Sequence, residues 1–391
     1  MEWFRTENLA KVWQEVKSTR GRDGSKPSPV GIDGVTAEGF DSNLAANLAE
    51  ISRMLSQPDL PRPTRYRFAP LRRKVISREP GSHREIFVPR IRDQIVLRAI
   101  GKLLKDKISG NALNFPVTSP RQAVKRVIAA REEGCRLVLR TDIAQYYQSI
   151  PHDQMLDRVR TLQVDKIAFQ LIGDIMTTPL RDPKKGKACD MHPERGVPTG
   201  VSISTTLGEF FLMDLSVDFR SSGRLQLVRY MDDLLLASDN KAYLKSSASR
   251  LKTKIENKGL SFSKPKTNWT SFEEGFEFLG FMFKGDKLLI SEKKSAKWVR
   301  SYQGITRKHI DRVEAYDTTD GMNPSLQQMI HEINREISGA SGMQVPYYSM
   351  ADDLSPFKRL DRQIREVIGG IFRRKNLTMK GEFRVESAYS W

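Results

Sequence analysis

The sequence predicts an α+β fold, an antiparallel sheet followed by a helical C-terminal third. Three observations carry this. Two strand-like apolar runs, "CRLVLRTDIAQYY" (135–147) and the hairpin "LQLVRYMDDLLLAS" (225–238), carry acidic residues in their midst. Between them, "ERGVPTGVSISTTLGEFFLMDLSVDF" (194–219) reads as a glycine turn opening a long helix. From about residue 291 the pattern is helical and basic. At 391 residues the chain exceeds one ordinary core, so about two or three linked subdomains are expected.

The other elements follow in order. Residues 1–20 read as a helix, with Trp3, Leu9, Val12, Trp13 and Val16 as its apolar positions. A Gly/Pro/Ser loop spans 20–31, and Thr36 caps a helix over 37–56. Residues 66–90 alternate as a two-stranded hairpin turning at Pro80–Gly81. A helix over 92–108 gathers Ile95, Val96, Ala99, Ile100, Leu103 and Leu104 on one face, with Asp93 as its cap. Helices continue from the 135–147 strand to about 178, and a polar, lysine-rich loop covers 181–195. After the second hairpin come a helix over 240–259 and the short strands "FSKPKTNW" and "GFEFLGFMF". No internal repeat is visible.

Charge gives the first indication of a partner. Lys and Arg number 65 against 47 Asp and Glu, a formal net charge of +18. An excess of this size points to a polyanion, with nucleic acid the default. No apolar run reaches 18 residues, so a membrane partner is not expected. The N-terminus has no basic region followed by an apolar one, and the two cysteines, Cys135 and Cys189, form no CxxC pair. That argues against a zinc site or disulfide framework and for a reducing, cytoplasmic setting.

The central puzzle is Asp232–Asp233, set inside an apolar hairpin where unpartnered carboxylates are costly. A bare Asp-Asp pair is ordinarily a polar turn, but apolar runs flank this one on both sides. If Asp142 from the earlier strand converges on the pair, two divalent cations would offset the three charges. Such metals, about 3.5–4 Å apart, clamp the attacking and leaving oxygens of an in-line phosphoryl transfer.

These residues also carry a resemblance. "YMDD" between apolar strands resembles the YxDD motif of reverse transcriptases. "TDIAQYYQSI" (141–150) resembles motif A, "RGVPTGVSIS" (195–204) motif B and "GLSFSKPKT" (259–267) motif D; "FEFLGFMF" (276–283) is similar to the hairpin that follows. "GIDGVTAEGF" and "REIFVPRIRDQIVLRAI" resemble the fingers, and "INREISGASGMQVPYY" (333–348) the thumb, of bacterial and group II intron-like enzymes. The resemblance covers roughly residues 30–370. It implies a right-hand polymerase: fingers and palm with an antiparallel sheet carrying the YMDD hairpin, plus an α-helical thumb. The corresponding divisions are an N-terminal extension (1–30), fingers (31–134), palm (135–290) and thumb with tail (291–391).

It further implies RNA-directed DNA synthesis from dNTPs, giving cDNA on an RNA template, with two Mg²⁺ ions or Mn²⁺ as substitute. Asp142, Asp232 and Asp233 would be catalytic and hold the metals with the Ile143 carbonyl, Asp232 being the better ligand of the pair. Tyr147 would be the aromatic gate that excludes a ribose 2′-hydroxyl, while Tyr146 reads as core. Arg84 would bind the triphosphate, with Lys74 a weaker candidate; Gly200 would admit the nucleotide or template; Lys266 would face the pyrophosphate. Lys184, Lys185 and Lys187 before motif B, and Lys358, Arg362, Arg365, Arg373 and Arg374 in the thumb, would contact nucleic acid, the last two beyond a Gly-Gly break. No histidine is assigned to a metal.

Intron-type enzymes usually carry Gln and Pro where Thr199 and Thr205 stand here. No endonuclease, RNase H acid set or DNA-binding domain is recognisable. The pattern is most like defence-associated ("unknown group") bacterial reverse transcriptases that copy a dedicated noncoding RNA against phage. A retron or maturase-like enzyme, and a catalytically idle RNA-binding scaffold, are the alternatives.

Overall fold

The structure, a computed structural model, describes residues 2–18, 30–56, 65–79, 82–110, 119–181, 188–189, 194–219, 225–314, 336 and 345–374. Two compact units divide the chain, one running to Trp269 and the other from Thr270 onward.

The first unit is built on two sheets, the last strand of which runs two residues past the boundary at Trp269. The strands are β1 (Leu71–Glu79), β2 (Ser82–Val88), β3 (Leu137–Asp142), β4 (Leu180–Arg181), β5 (Ala188–Cys189), β6 (Leu225–Tyr230), β7 (Asp233–Ser238) and β8 (Asn268–Ser271). They assemble in the orders β6-β7-β3-β8 and β2-β1-β4-β5. In the first sheet β7 is central, and Leu234, Leu235, Leu236 and Ala237 are all buried. Burying each leucine side chain contributes about 1.5–3 kcal/mol relative to exposure, which fixes the hairpin's register. Helices Pro120–Glu132 and Lys241–Asn257 pack on this sheet. The first opens with Ser119 and Gln122 in a reciprocal capping box; Asn240 caps the second through the Tyr243 N–H.

The predicted N-terminal helix forms as Thr6–Ser18 and joins the main core through Leu9, Val12, Trp13 and Val16. Thr36 caps as expected, accepting from the Gly39 N–H at 3.1 Å. The helix that follows is broken, however, into Ala37–Asp41 and Leu44–Ser56. At the break Asp41 accepts from the Trp13 indole at 2.6 Å and pairs with Lys17 at 3.0 Å.

Three further expectations need correction. Asp93 is no cap: it lies within the helix Ile91–Gly110, fully buried, and accepts from Tyr66 Oη (2.7 Å), the Ala69 N–H (3.1 Å) and the Arg90 guanidinium (3.0 Å). The 181–195 segment is not wholly a loop, since its flanks form β4 and β5 and extend the first hairpin into a four-stranded sheet. Lys264–Lys266 is a turn of 3-10 helix, not strand. The Pro80–Gly81 turn lies outside the described residues.

The second unit holds β9 (Phe276–Phe278), β10 (Phe281–Lys284) and β11 (Lys287–Ile290) in an antiparallel meander. Helices Glu292–Glu314 and Ser355–Arg374 pack together, with the Trp298 and Phe357 rings stacked 4.6 Å apart. Tyr347 Oη donates to the Leu279 carbonyl at 3.0 Å. The last helix runs through Gly369–Gly370 without the expected break.

Removing the Asp93 carboxylate strands a buried tyrosine hydroxyl, an N–H and a guanidinium at once. Asp93→Ala is therefore expected to cost about 3 kcal/mol in urea denaturation of the first unit.

Candidate active site

Asp142 closes β3 and Asp233 opens β7, and the two are direct partners in the antiparallel ladder. Partners in a ladder share a face, so register alone brings these carboxylates together. Asp232 sits in the two-residue turn between β6 and β7, where Tyr230 pairs with Asp233. The turn's other residue, Met231, has φ +54°, a left-handed conformation that costs a non-glycine residue on the order of 1–3 kcal/mol. Two bonds hold it: Arg229 donates to the Met231 carbonyl and the Ile143 N–H donates to the Asp232 carbonyl, both at 3.3 Å. Ile143 bridges to Phe262, a pairing that employs the Asp142 carbonyl and the Ala144 N–H but not the Ile143 carbonyl.

The electrostatics show strong crowding. Asp142 is 5% exposed. Burial pushes the Asp232 carboxyl up to about 7, and the charge of Asp142, to which it is hydrogen-bonded, adds to the rise. Burial also raises Asp233, against the opposing effect of Arg140 3.9 Å away. The two neighbouring aspartates are thus inequivalent, Asp232 turned to Asp142 and Asp233 anchored to Arg140. The Lys266 ammonium contacts Asp142 Oδ2 directly, and that contact raises the Lys266 pKa.

Several residues that the sequence did not single out support this turn. Glu209 pairs with Arg229 at 2.9 Å, and the Arg229 side chain is 3% exposed. The guanidinium that holds the Met231 carbonyl is therefore itself held by a carboxylate from the helix Ser204–Phe211. Tyr146 is buried and donates to the Gly208 carbonyl at 2.6 Å, as its reading as core requires. Tyr147 is half-buried; its pKa is raised by burial and by Asp232, and lowered by a hydrogen bond from Thr205 and by Arg84. A Cβ at Gly208 would stand 3.0 Å from the Tyr147 ring, so this glycine makes room for both tyrosines.

Arg84 and Lys74 are exposed on the β1–β2 hairpin. Gly200 lies against β2. It has φ +95°, and a Cβ there would lie 2.9 Å from Ile86 Cβ and 3.2 Å from the Phe87 nitrogen. The Thr199–Gly200 turn docks on the edge of β2, with Phe87 N–H donating to the Thr199 carbonyl at 2.8 Å and Thr199 Oγ1 to the Glu85 carbonyl at 2.9 Å. Lys184, Lys185 and Lys187 lie outside the described residues, as do the side chains of Arg373 and Arg374. Lys358, Arg362 and Arg365 belong to the second unit, where Arg365 pairs with Asp361 at 2.9 Å.

Residues 73–283, more than half of the chain, match the family described as reverse transcriptase (RNA-dependent DNA polymerase). The chain belongs to the reverse transcriptase family. Its fold is the α+β right-hand polymerase fold, shared with the apo telomerase of Candida tropicalis (TM-score 0.50, 12% identity, covering 78% of this chain and 62% of that one). A telomerase from Candida albicans in complex with a TWJ fragment of telomeric RNA aligns with TM-score 0.48 and 12% identity over 86% of this chain and 67% of that one. The chain spans about three fifths of the length of the first of these telomerases. No curated protein matches it. Among the described residues no helix is long and apolar enough to cross a membrane.

Reverse transcriptases of this family generally use divalent metal ions. As the side chains stand, no group of three or more His, Cys, Asp or Glu among the described residues is arranged to hold one. The donor chemistry nonetheless fits. The acids are hard oxygen donors, burial and the neighbouring Asp142 charge push Asp232 up to about 7, and a cation, the Lys266 ammonium, already stands against Asp142.

Two predictions follow from this geometry. Asp232 keeps its proton to about pH 7 in the fold but loses it near pH 4 when unfolded, so metal-free stability should fall as pH rises between these values. Thermal melting in EDTA should show that fall, and Asp232→Asn should flatten it. Glu209→Gln removes the countercharge of the buried Arg229 guanidinium, an expected loss of about 3 kcal/mol by denaturation, whereas replacing both by methionine should recover most of it.

Proposed function

We propose that the protein is an RNA-directed DNA polymerase that extends a primer with dNTPs to make cDNA. The observation that carries this reading is the ladder pairing of Asp142 with Asp233, beside the turn that presents Asp232. Asp142, Asp232 and Asp233, with the Ile143 carbonyl, would hold two Mg²⁺ ions, for which Mn²⁺ could substitute. When bound, these ions would supply charge stabilisation to the attacking and departing oxygens.

The remaining work falls to the chain itself. Lys266, which contacts Asp142, would give a proton to the departing pyrophosphate. Arg84, with Lys74 beside it, binds the triphosphate; an arginine fork suits paired phosphate oxygens. The Tyr147 ring, held by Thr205 and backed by Gly208, sits under the incoming sugar and excludes a 2′-hydroxyl. The Thr199–Gly200 turn braces β2, and Gly200, without a side chain, leaves room for the nucleotide or template to approach. The exposed Lys358 and Arg362, with Arg365 and the helix end at Arg373–Arg374, meet template–primer phosphates.

The reading extends to a dedicated noncoding RNA template, copied as an antiviral response in the bacterial cytoplasm. Its support is the +18 charge, the two cysteines without a CxxC pair, and the two motif B departures, Thr199 and Thr205. Thr199 donates to the Glu85 carbonyl of β2, and Thr205 stands where a proline would offer no hydroxyl to the neighbouring Tyr147. The full set of three aspartates favours a working polymerase over an idle scaffold.

Asp232→Ala with Asp233→Ala should abolish dNTP incorporation on a primed RNA while leaving thermal melting and RNA binding in place; normal synthesis by that variant would remove the proposal. Tyr147→Val should raise ribonucleotide over deoxynucleotide incorporation, read by gel analysis of products made from each nucleotide pool.

A further inference from the structure

The β2-β1-β4-β5 sheet contains an arrangement that the active site does not explain. β1 and β4 run parallel, with Arg72 and Arg181 as direct partners. Partners share a face, so two guanidiniums stand side by side across adjacent strands. Like charges placed so are destabilising unless something anionic lies over them. No acidic partner for either residue occurs among the described residues, although the next residue along β1, Arg73, pairs with Glu85. Arg72 Nε is buried with no hydrogen-bond partner, a desolvated donor that calls for an acceptor. Arg181 is exposed.

Strand alternation extends the row. Lys74 lies on the same face of β1, and Arg84 occupies that face of β2 through its register with Ile76. Cations on three neighbouring strands thus step across one face, from Arg84 at the nucleotide end to Arg181 at the far end. Arg84 and Arg181 stand two strands apart, about 10 Å, and four residues apart along β1, about 13 Å. A triphosphate is too short to reach from one end of the row to the other.

We infer that Arg72 and Arg181 form a phosphate-binding track for the backbone of a single nucleic-acid strand, outside the nucleotide site. β4 and β5 are what create it, because they carry Arg181 up against β1. The inference extends the polymerase reading above by naming a strand contact, but its test does not require catalysis. A guanidinium reads phosphate and not base, so the track supplies affinity and register without sequence preference.

The test is binding of an oligouridylate to the full chain, without metal or dNTP, over a range of salt concentrations. Each single-strand phosphate contact contributes about 0.7 to the slope of log affinity against log salt, so Arg72→Gln/Arg181→Gln should lower the slope by roughly 1.4 and Arg181→Gln alone by about half that. The exposed Arg181 makes the single variant safe for folding, and its slope decides the matter if the double variant melts early. Binding of dTTP should be unchanged in both. An unchanged RNA slope overturns the inference, as does a change confined to dTTP binding, which would make the pair part of the nucleotide site. A wild-type chain that binds the strand in this way but never extends a primer would refute the polymerase proposal and leave the track standing.

Discussion

Three carboxylates are forced into one place by the pairing of β3 with β7 and by the turn that precedes β7. This crowding is the constraint around which the rest of the first unit is arranged. The register cannot relax, because a one-residue slip would turn Leu234 and Leu236 out of the core. The charges therefore remain, and the surrounding chain meets them with Arg140 on Asp233, Lys266 on Asp142 and a raised pKa at Asp232. Each answers a charge that a cation can also answer.

The turn that presents Asp232 carries its own cost in the left-handed Met231, and a chain of contacts sustains it. Glu209 holds Arg229, and Arg229 holds the Met231 carbonyl. The same helix supplies Gly208, over which both tyrosines of the 141–150 segment lie, and Thr205, which meets Tyr147. The Ser204–Phe211 helix is thus the common support of the acidic turn and of the tyrosine beside it. Thr199 and Gly200, just before that helix, tie it to β2.

Much of this was legible in the sequence because it is local. Asp142 and Asp233 stand at the ends of strands that can be read directly, Asp232 lies in the turn beside Asp233, and Tyr146 and Tyr147 follow Asp142 at fixed distance. Pairings over long separations could not be read: nothing in the order of residues tells Arg229 to find Glu209, or Tyr66 to find Asp93. Asp93 looked like a cap because its position near a helix start is what caps share, whereas its partners come from residues 66–69 and from Arg90. The two-residue strands β4 and β5 are too short to show any period, so their segment read as loop. Gly200 announced a special backbone, but its packing against β2 is a long-range contact that the sequence does not show. Gly369–Gly370 read as a break; two glycines cost a helix only about 2 kcal/mol, and the helix carries on through them.

The central claim is that the crowded carboxylates exist to be neutralised by divalent cations during DNA synthesis on RNA. The most direct measurement is extension of a DNA primer annealed to RNA, with dNTPs or NTPs, as Mg²⁺ is titrated from EDTA upward. The account predicts no product in EDTA, cDNA that rises with Mg²⁺, and dNTPs used in strong preference to NTPs. Extension that persists in EDTA, or none at any concentration of Mg²⁺ or Mn²⁺, would contradict it.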